Sequence, residues 1–401
     1  MPRKWLVFAA VSLMFFFVTG STFMSLGVVL YAMIPALHWS QTAAGTSFAV
    51  LGLACCLSSP LPALLMNRIG TRWTMLLGGA VLSAGFVCAE CTRGIGVFYC
   101  GAALMGTGFS LCANIPGVYL LASWFPGRSA RIIGLYLMLG ASGGVAGPPV
   151  ASWIVTHGGG WRAHWLLMAL LAALCALVCL LAVKDRPAEA QPAGLSPEPA
   201  RPDVRDWVYR EAALTPQFMI IAAAMVLTEA CVTTVQSAGV SHLAALGNGA
   251  AFAAVMLSLQ SMTSTLAKGA AGTLAEIVQP KRLLGAGLII ECVGMLLLAH
   301  ASSHGVSYAF AVAFGIGWGA AYLAVTVLLI EYFGPNTGSA ALSTVWLLTG
   351  VAAFGPPAAG MVDDRLGSFS PAFTVGGLML LPIALGVLLL RVPKPRAALS
   401  N

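Results

Sequence analysis

The chain has 401 residues, of which 59% are hydrophobic and only 8% charged, with a formal net charge of +7 and a mean hydropathy of +0.90. Soluble globular chains carry nearer a quarter charged residues, so the composition excludes an ordinary soluble domain and points to a membrane protein. The basic excess falls in the loops and reads as topology, with no nucleic-acid partner implied.

Apolar runs recur along the whole chain, each long enough for the roughly 20 residues that a helix needs to cross the hydrocarbon core. They are continuous rather than alternating, so they predict helices and not barrel strands. In the first half the spans are expected at about 5–34, 43–66, 73–92, 96–123, 129–156 and 163–183. The opening MPRKW precedes an apolar run too long for a signal-peptide core and without a small-residue cleavage site, so that run reads as the first span. Cys88 and Cys91 form a CxxC near the end of span three, with Cys100 close by. A disulfide or a metal site is the alternative reading there, but no second ligand pair or histidine cluster accompanies them, and no metal or cofactor is expected.

Residues 184–213 change character: KDRPAEAQPAGLSPEPARPDVRDWVYRE is rich in Pro, Ala and charge. This stretch reads as a cytoplasmic linker between an N-terminal six-helix bundle, 1–183, and a C-terminal one, 214–391, with a cytoplasmic tail at 392–401. The second-half spans are expected at about 215–240, 250–276, 283–300, 306–331, 338–361 and 370–391. With both ends inside, sixteen of the twenty Lys and Arg lie on the cytoplasmic side. Only Arg93, Arg162 and Arg365 lie outside, and Lys268 lies within the bilayer. The positive-inside rule then places both termini in the cytoplasm, as in a multi-pass protein of a cytoplasmic (inner) membrane.

The halves echo each other. ALLMNRIGTRW in loop 2–3, with Asn67 and Arg68, is answered by GTLAEIVQPKR in loop 8–9, with Glu276, 209 residues on. GTGF at Gly106 and GIGW at Gly315 share that offset, and GPPVA at Gly147 and GPPAA at Gly355 differ from it by one residue. Three landmarks within one residue of a common spacing predict a duplicated six-helix unit, the parallel repeat of a two-bundle secondary transporter with its site near the midplane. The prolines of the two GPP motifs lack backbone donors and predict kinks in spans five and eleven.

These features resemble the major facilitator superfamily over nearly the whole chain. Its loop 2–3 consensus GxLxDRxGRR stands here as AxLxNRxGTR, keeping Leu65, Arg68, Gly70 and Arg72 with Asn67 in place of the acid; the second copy keeps Gly272, Leu274 and Glu276. The resemblance implies an all-α membrane protein, twelve transmembrane helices in two pseudo-symmetric six-helix bundles. It also implies a cytoplasmic latch at Asn67, Arg68, Arg72 and Glu276, weakened by loss of the first acid. Within the superfamily, SLGVVLYAMIPALHWSQTAAGTSFAVLG and SWFPGRSARIIGL are similar to the monocarboxylate transporter and oxalate/formate antiporter families, which share the WFPxR core. Ser129 stands where relatives carry a second arginine, and Thr19 where some carry an acid before the span-one glycine, Gly20.

Lys268 carries the chemical argument. It lies eight residues before Glu276, about 12 Å from the cytoplasmic face and close to the middle of a roughly 30 Å core. Placing a lysine there costs about 3 kcal/mol on insertion scales, so it needs an opposite charge or a watery space. AKGAAG resembles the family pattern of a basic residue four before a glycine, and that resemblance implies carboxylate binding. One buried cation suits one carboxylate. The second basic residue that oxalate-exchanging relatives carry in span eleven is absent from ALSTVWLLTGVAAFGPPAAG.

Glu229, at mid-depth in span seven, is the candidate proton carrier, since Ser264 occupies the position of the family's span-eight acid. A static Glu229–Lys268 pair is the bland alternative. Asn114, Tyr119 and Tyr322 are candidate substrate contacts on spans four and ten, with helix packing as the alternative for each. Thr19, Ser25 and Gln260 complete the candidate set. Glu291 in span nine suits an interhelical hydrogen bond, while Glu90, Glu331, Asp363 and Asp364 near span ends read as solvated. No phosphate loop or nucleophile–base pair is evident, so an enzyme is not expected. The leading expectation is a proton-coupled symporter of small monocarboxylates, monomeric as its functional unit, with a small organic anion, a proton and the lipid bilayer as partners. Efflux of lipophilic cations through Glu229 and a non-transporting membrane sensor are the alternatives.

Overall fold

A computed structural model describes residues 3–125, 128–184, 207–275 and 277–393. Among the described residues the chain is helical throughout, with no strand. In the first half the helices are α1 (Arg3–Ser21), α2 (Leu26–Leu37), α3 (Gln41–Leu57), α4 (Leu61–Ile69), α5 (Thr71–Glu90), α6 (Ile95–Cys112), α7 (Asn114–Trp124), α8 (Ser129–Ala141), α9 (Gly143–His157) and α10 (Gly160–Ala182). In the second half they are α11 (Tyr209–Ala213), α12 (Pro216–Ala245), α13 (Ala250–Leu274), α14 (Pro280–Ala299), α15 (His304–Leu348), α16 (Gly355–Leu366) and α17 (Ser370–Leu389). Among the described residues eleven stretches are long and apolar enough to cross a membrane, and the pair α3–α4, bent by 49°, makes twelve when taken as one span. With no water in the bilayer core, each span satisfies its own backbone groups as a helix. The chain is a multi-pass, all-α membrane protein.

Local sequence explains where spans break. Gly334, at φ 78, interrupts α15 and divides span ten from span eleven, a backbone conformation that glycine adopts without a Cβ penalty. Pro356 and Pro357 open α16, and the turn before them, Thr349–Phe354, tightens into a 3₁₀ helix. Span five breaks at Ser142, shortly before Pro148 and Pro149. In span eleven the carbonyls four residues before the prolines, those of Ala352 and Ala353, fall inside the 3₁₀ turn, where proline removes a donor and its ring presses on the backbone; in span five the corresponding Gly144 and Val145 lie inside α9, and Ser142 keeps helical angles of φ −64 and ψ −15.

Small residues set helix spacing, as they do where packing rather than hydrophobicity joins helices in lipid. A Cβ on Gly85 or on Gly101 would lie 2.9 Å from the other's carbonyl oxygen, so α5 and α6 touch backbone to backbone. Gly20 of α1 and Gly143 of α9 meet in the same way.

The helices gather into two compact units whose limits do not follow the order of the chain. One unit holds the N-terminal half together with Thr233–Ser261 and Ala353–Ser368. The other holds the stretch ending at Val232, Met262–Ala352 and the chain from Phe369 onward. Within the first unit, Ser258 Oγ of α13 donates to the Val145 carbonyl of α9 at 2.5 Å, and Gly27 of α2 presses on the Gln236 backbone of α12.

Candidate functional site

The charged centre of the second unit is assembled from three helices. Glu229 lies on α12, Lys268 on α13, and Trp318 and Tyr322 on α15. Trp318 and Tyr322 are four residues apart and therefore share a helix face. Gly319 brings that face to α13, because a Cβ there would collide with the Ser264 carbonyl and lie 2.8 Å from Ala267 Cβ. Ser264 is one turn before Lys268, so this close approach delivers the lysine onto the aromatic face.

The Lys268 ammonium sits 4.4 Å from the Trp318 ring centre and 4.3 Å from that of Tyr322. Each such contact contributes about 0.5–2 kcal/mol, which offsets much of the cost of placing the charge in the core. Trp318 Nε1 donates to Glu229 Oε1 at 3.4 Å, and the Glu229 and Lys268 charges act on each other. The Tyr322 ring packs at 5.1 Å against Trp346. Trp318 is buried, whereas Glu229, Lys268 and Tyr322 are half-buried. Behind Glu229, Thr228 Oγ1 donates to Glu291 Oε2 at 3.0 Å. This joins α12 to α14, the interhelical hydrogen bond expected of Glu291.

An ammonium with ring faces on two sides is held in place by flat, non-donating surfaces. They take up none of the anions it could bind, and its N–H donors remain directional. Chemically the arrangement offers a fixed cation, a nearby carboxylate and an aromatic wall.

Of the sequence candidates, Lys268, Glu229 and Tyr322 are brought together. Thr19, Ser25, Gln260 and Tyr119 belong to the first unit. There Thr19 is buried, Ser25 Oγ donates to the Gly20 carbonyl at 2.5 Å, Gln260 is fully buried, and Tyr119 on α7 is exposed. Asn114 begins α7, but its side chain lies outside the described residues, as does Glu276. Asn67 and Arg68 are exposed on α4, and the Arg72 guanidinium lies 5.4 Å from the Trp73 ring centre. Sequence reasoning missed Trp318 and Trp346. Trp318 had a signal in its i−4 spacing from Tyr322; Trp346, across the Gly334 break, had none.

Comparisons with known proteins identify the family. The model of the Major Facilitator Superfamily matches residues 11–256. Monocarboxylate transporter 3 of Rattus norvegicus is 27% identical over 334 residues, covering 80% of this chain and 66% of that protein. Monocarboxylate transporter 4 of the same species is 28% identical over 351 residues, covering 83% and 71%. The uncharacterized transporter YycB of Bacillus subtilis is 26% identical over 355 residues, covering 86% and 84%. The chain thus spans about two thirds of the length of the two rat relatives. Among solved structures, the fold matches that of the nucleoside transporter NupG with a TM-score of 0.78 at 13% identity, covering 97% of this chain and 98% of that one. It also matches a bacterial homolog of the human lysosomal transporter Spinster, inward-facing and unoccupied, with a TM-score of 0.77 at 16% identity, covering 97% and 95%. With that family model matching more than half of its length on an all-helical frame of twelve spans, the chain belongs to the Major Facilitator Superfamily, a family of transporters and not of enzymes.

Proposed function

We propose that the protein is a secondary active transporter of small monocarboxylates of the lactate or pyruvate class. The observation that carries this reading is Lys268: one cation, half-buried within a span, framed by Trp318 and Tyr322, with Glu229 accepting from the Trp318 Nε1–H. The names of the rat relatives support the same substrate class. In this reading the substrate carboxylate pairs with Lys268 and the small organic tail rests on the aromatic wall. Glu229, displaced from the lysine's field, takes the coupled proton, so anion and proton cross together as a neutral load. Alternating access then exposes Lys268 first to one side of a cytoplasmic membrane and then to the other, in a monomer with both termini in the cytoplasm. Thr19, Ser25, Asn114, Tyr119 and Gln260 are the proposed contacts from the remaining spans. Asn67, Arg68, Arg72 and Glu276 are the proposed cytoplasmic latch.

The test is uptake of labelled lactate or pyruvate into proteoliposomes under an inward proton gradient. The unaltered protein accumulates label, and Lys268→Gln abolishes it. Uptake by that variant at the unaltered rate would remove the mechanism.

One observation favours a second reading. Trp318, Tyr322 and Trp346 beside a carboxylate would also suit a lipophilic cation, although Lys268 already covers two of those rings. Export of such a cation that is impaired by Glu229→Gln and indifferent to Lys268→Gln would establish that reading instead.

A further inference from the structure

Asp364 does something unusual for an acid near a helix end. It lies in the last turn of α16 and carries the N-terminus of α3, more than three hundred residues earlier in the chain. Its Oδ1 accepts from the Gln41 backbone N–H at 2.8 Å. Its Oδ2 accepts from the Thr42 N–H at 2.9 Å and from Thr42 Oγ1 at 2.5 Å. Ser40 Oγ accepts from the Ala43 N–H at 3.1 Å. The first three donors of α3, orphaned by helix geometry, are thus divided between the local cap and a carboxylate from the other half of the sequence. A negative charge at that position also meets the positive end of the α3 dipole.

The contact below this cap is built for close approach. Gly360, one turn before Asp364, would strike the Gln41 carbonyl if it carried a Cβ. Gly45, one turn after Gln41, would strike the Pro356 carbonyl. Positions 356, 360 and 364 of one helix therefore face positions 41 and 45 of the other at a four-residue repeat. Two backbones lie flush along this seam, and a charge-assisted clamp sits at its end. The clamp itself is exposed, so water can replace every bond in it.

We propose that Asp364 is a releasable latch that holds α16 against α3 in the state described here and lets go when this end of the transporter opens. The two helices come from opposite halves of the chain. A polar, exposed clamp at the end of a glycine-lined seam breaks and re-forms by exchanging its bonds with water. The inference rests on membership of a transporter family and on no particular cargo.

The experiment measures distance, with no substrate present, on the full-length protein in nanodiscs. Spin labels are placed at the exposed positions Ala36→Cys and Leu366→Cys, which flank the latch, in a Cys91→Ser, Cys100→Ser background. The protein with Asp364 intact gives one dominant short distance. Asp364→Ala adds a longer-distance population, enriched on the order of tenfold, the effect of losing a helix cap. Thr42→Val, which removes only the hydroxyl donor, moves the distribution the same way by less and serves if the Asp364 variant does not fold. Unchanged distributions in both variants, or in Thr42→Val alone where Asp364→Ala yields no folded protein, would overturn the latch. Because no cargo enters the measurement, its failure is separate from a failure of the uptake experiment.

Discussion

Lys268 shows how one charge is made tolerable inside a bilayer. The lysine cost of about 3 kcal/mol is offset by two ring faces with a carboxylate in reach of its charge, and the amine stays half-buried. Trp318 has two roles that mutation separates. Trp318→Phe keeps a ring under the ammonium and loses the Nε1 donor to Glu229; Trp318→Ala loses both. The KM for monocarboxylate, read from initial uptake rates, is expected to rise roughly 3- to 30-fold in Trp318→Ala, the equivalent of one lost cation–π contact. The rise in Trp318→Phe is expected to be smaller. Equal effects in the two variants would show that the indole N–H, not the ring face, matters.

At the scale of elements, the site depends on how closely α13 and α15 pass. Gly319 is the point of contact with the Ser264 carbonyl, and any side chain there drives the helices apart. Gly319→Leu is expected to destabilise by about 1–3 kcal/mol, the usual cost of overpacking, and to lift Lys268 from its aromatic seat. A thermal melt in detergent should show the lowered midpoint. Gly249→Ala, at a glycine whose Cβ would meet nothing within 4 Å, should melt close to the parent. The same logic governs span eleven. Its 3₁₀ turn at Thr349–Phe354 precedes two prolines, so the span enters α16 through a tightened turn.

At the scale of the molecule, the two compact units interleave the halves of the sequence. Thr233–Ser261 and Ala353–Ser368 pack with the N-terminal half, through contacts such as Ser258 with Val145 and Asp364 with Thr42. A chain divided within 185–206 and produced as two fragments is therefore expected to co-purify through a tag on either one. Recovery of one fragment alone would mean that these seams do not hold the halves together. Asp364→Ala in the divided protein should lower the yield of the second fragment.

The sequence alone determined what the solvent dictates. Twelve apolar runs became twelve spans because lipid offers no partner to a backbone N–H, and the repeat of about 209 residues was legible as spaced landmarks. Lys268 and Glu229 stood out because charges are expensive in a membrane, and Tyr322 because of its helix. Only the tertiary structure decided which side chains meet. Trp318 went unnoticed in the sequence, and the close approach at Gly319 is what brings its face to Lys268. Asp364 read as a solvated acid near a span end, yet it is the cap of a helix more than three hundred residues away. Burial is a property of one segment and its solvent, so composition records it. A contact between distant segments depends on helix crossing and register, which no local pattern encodes.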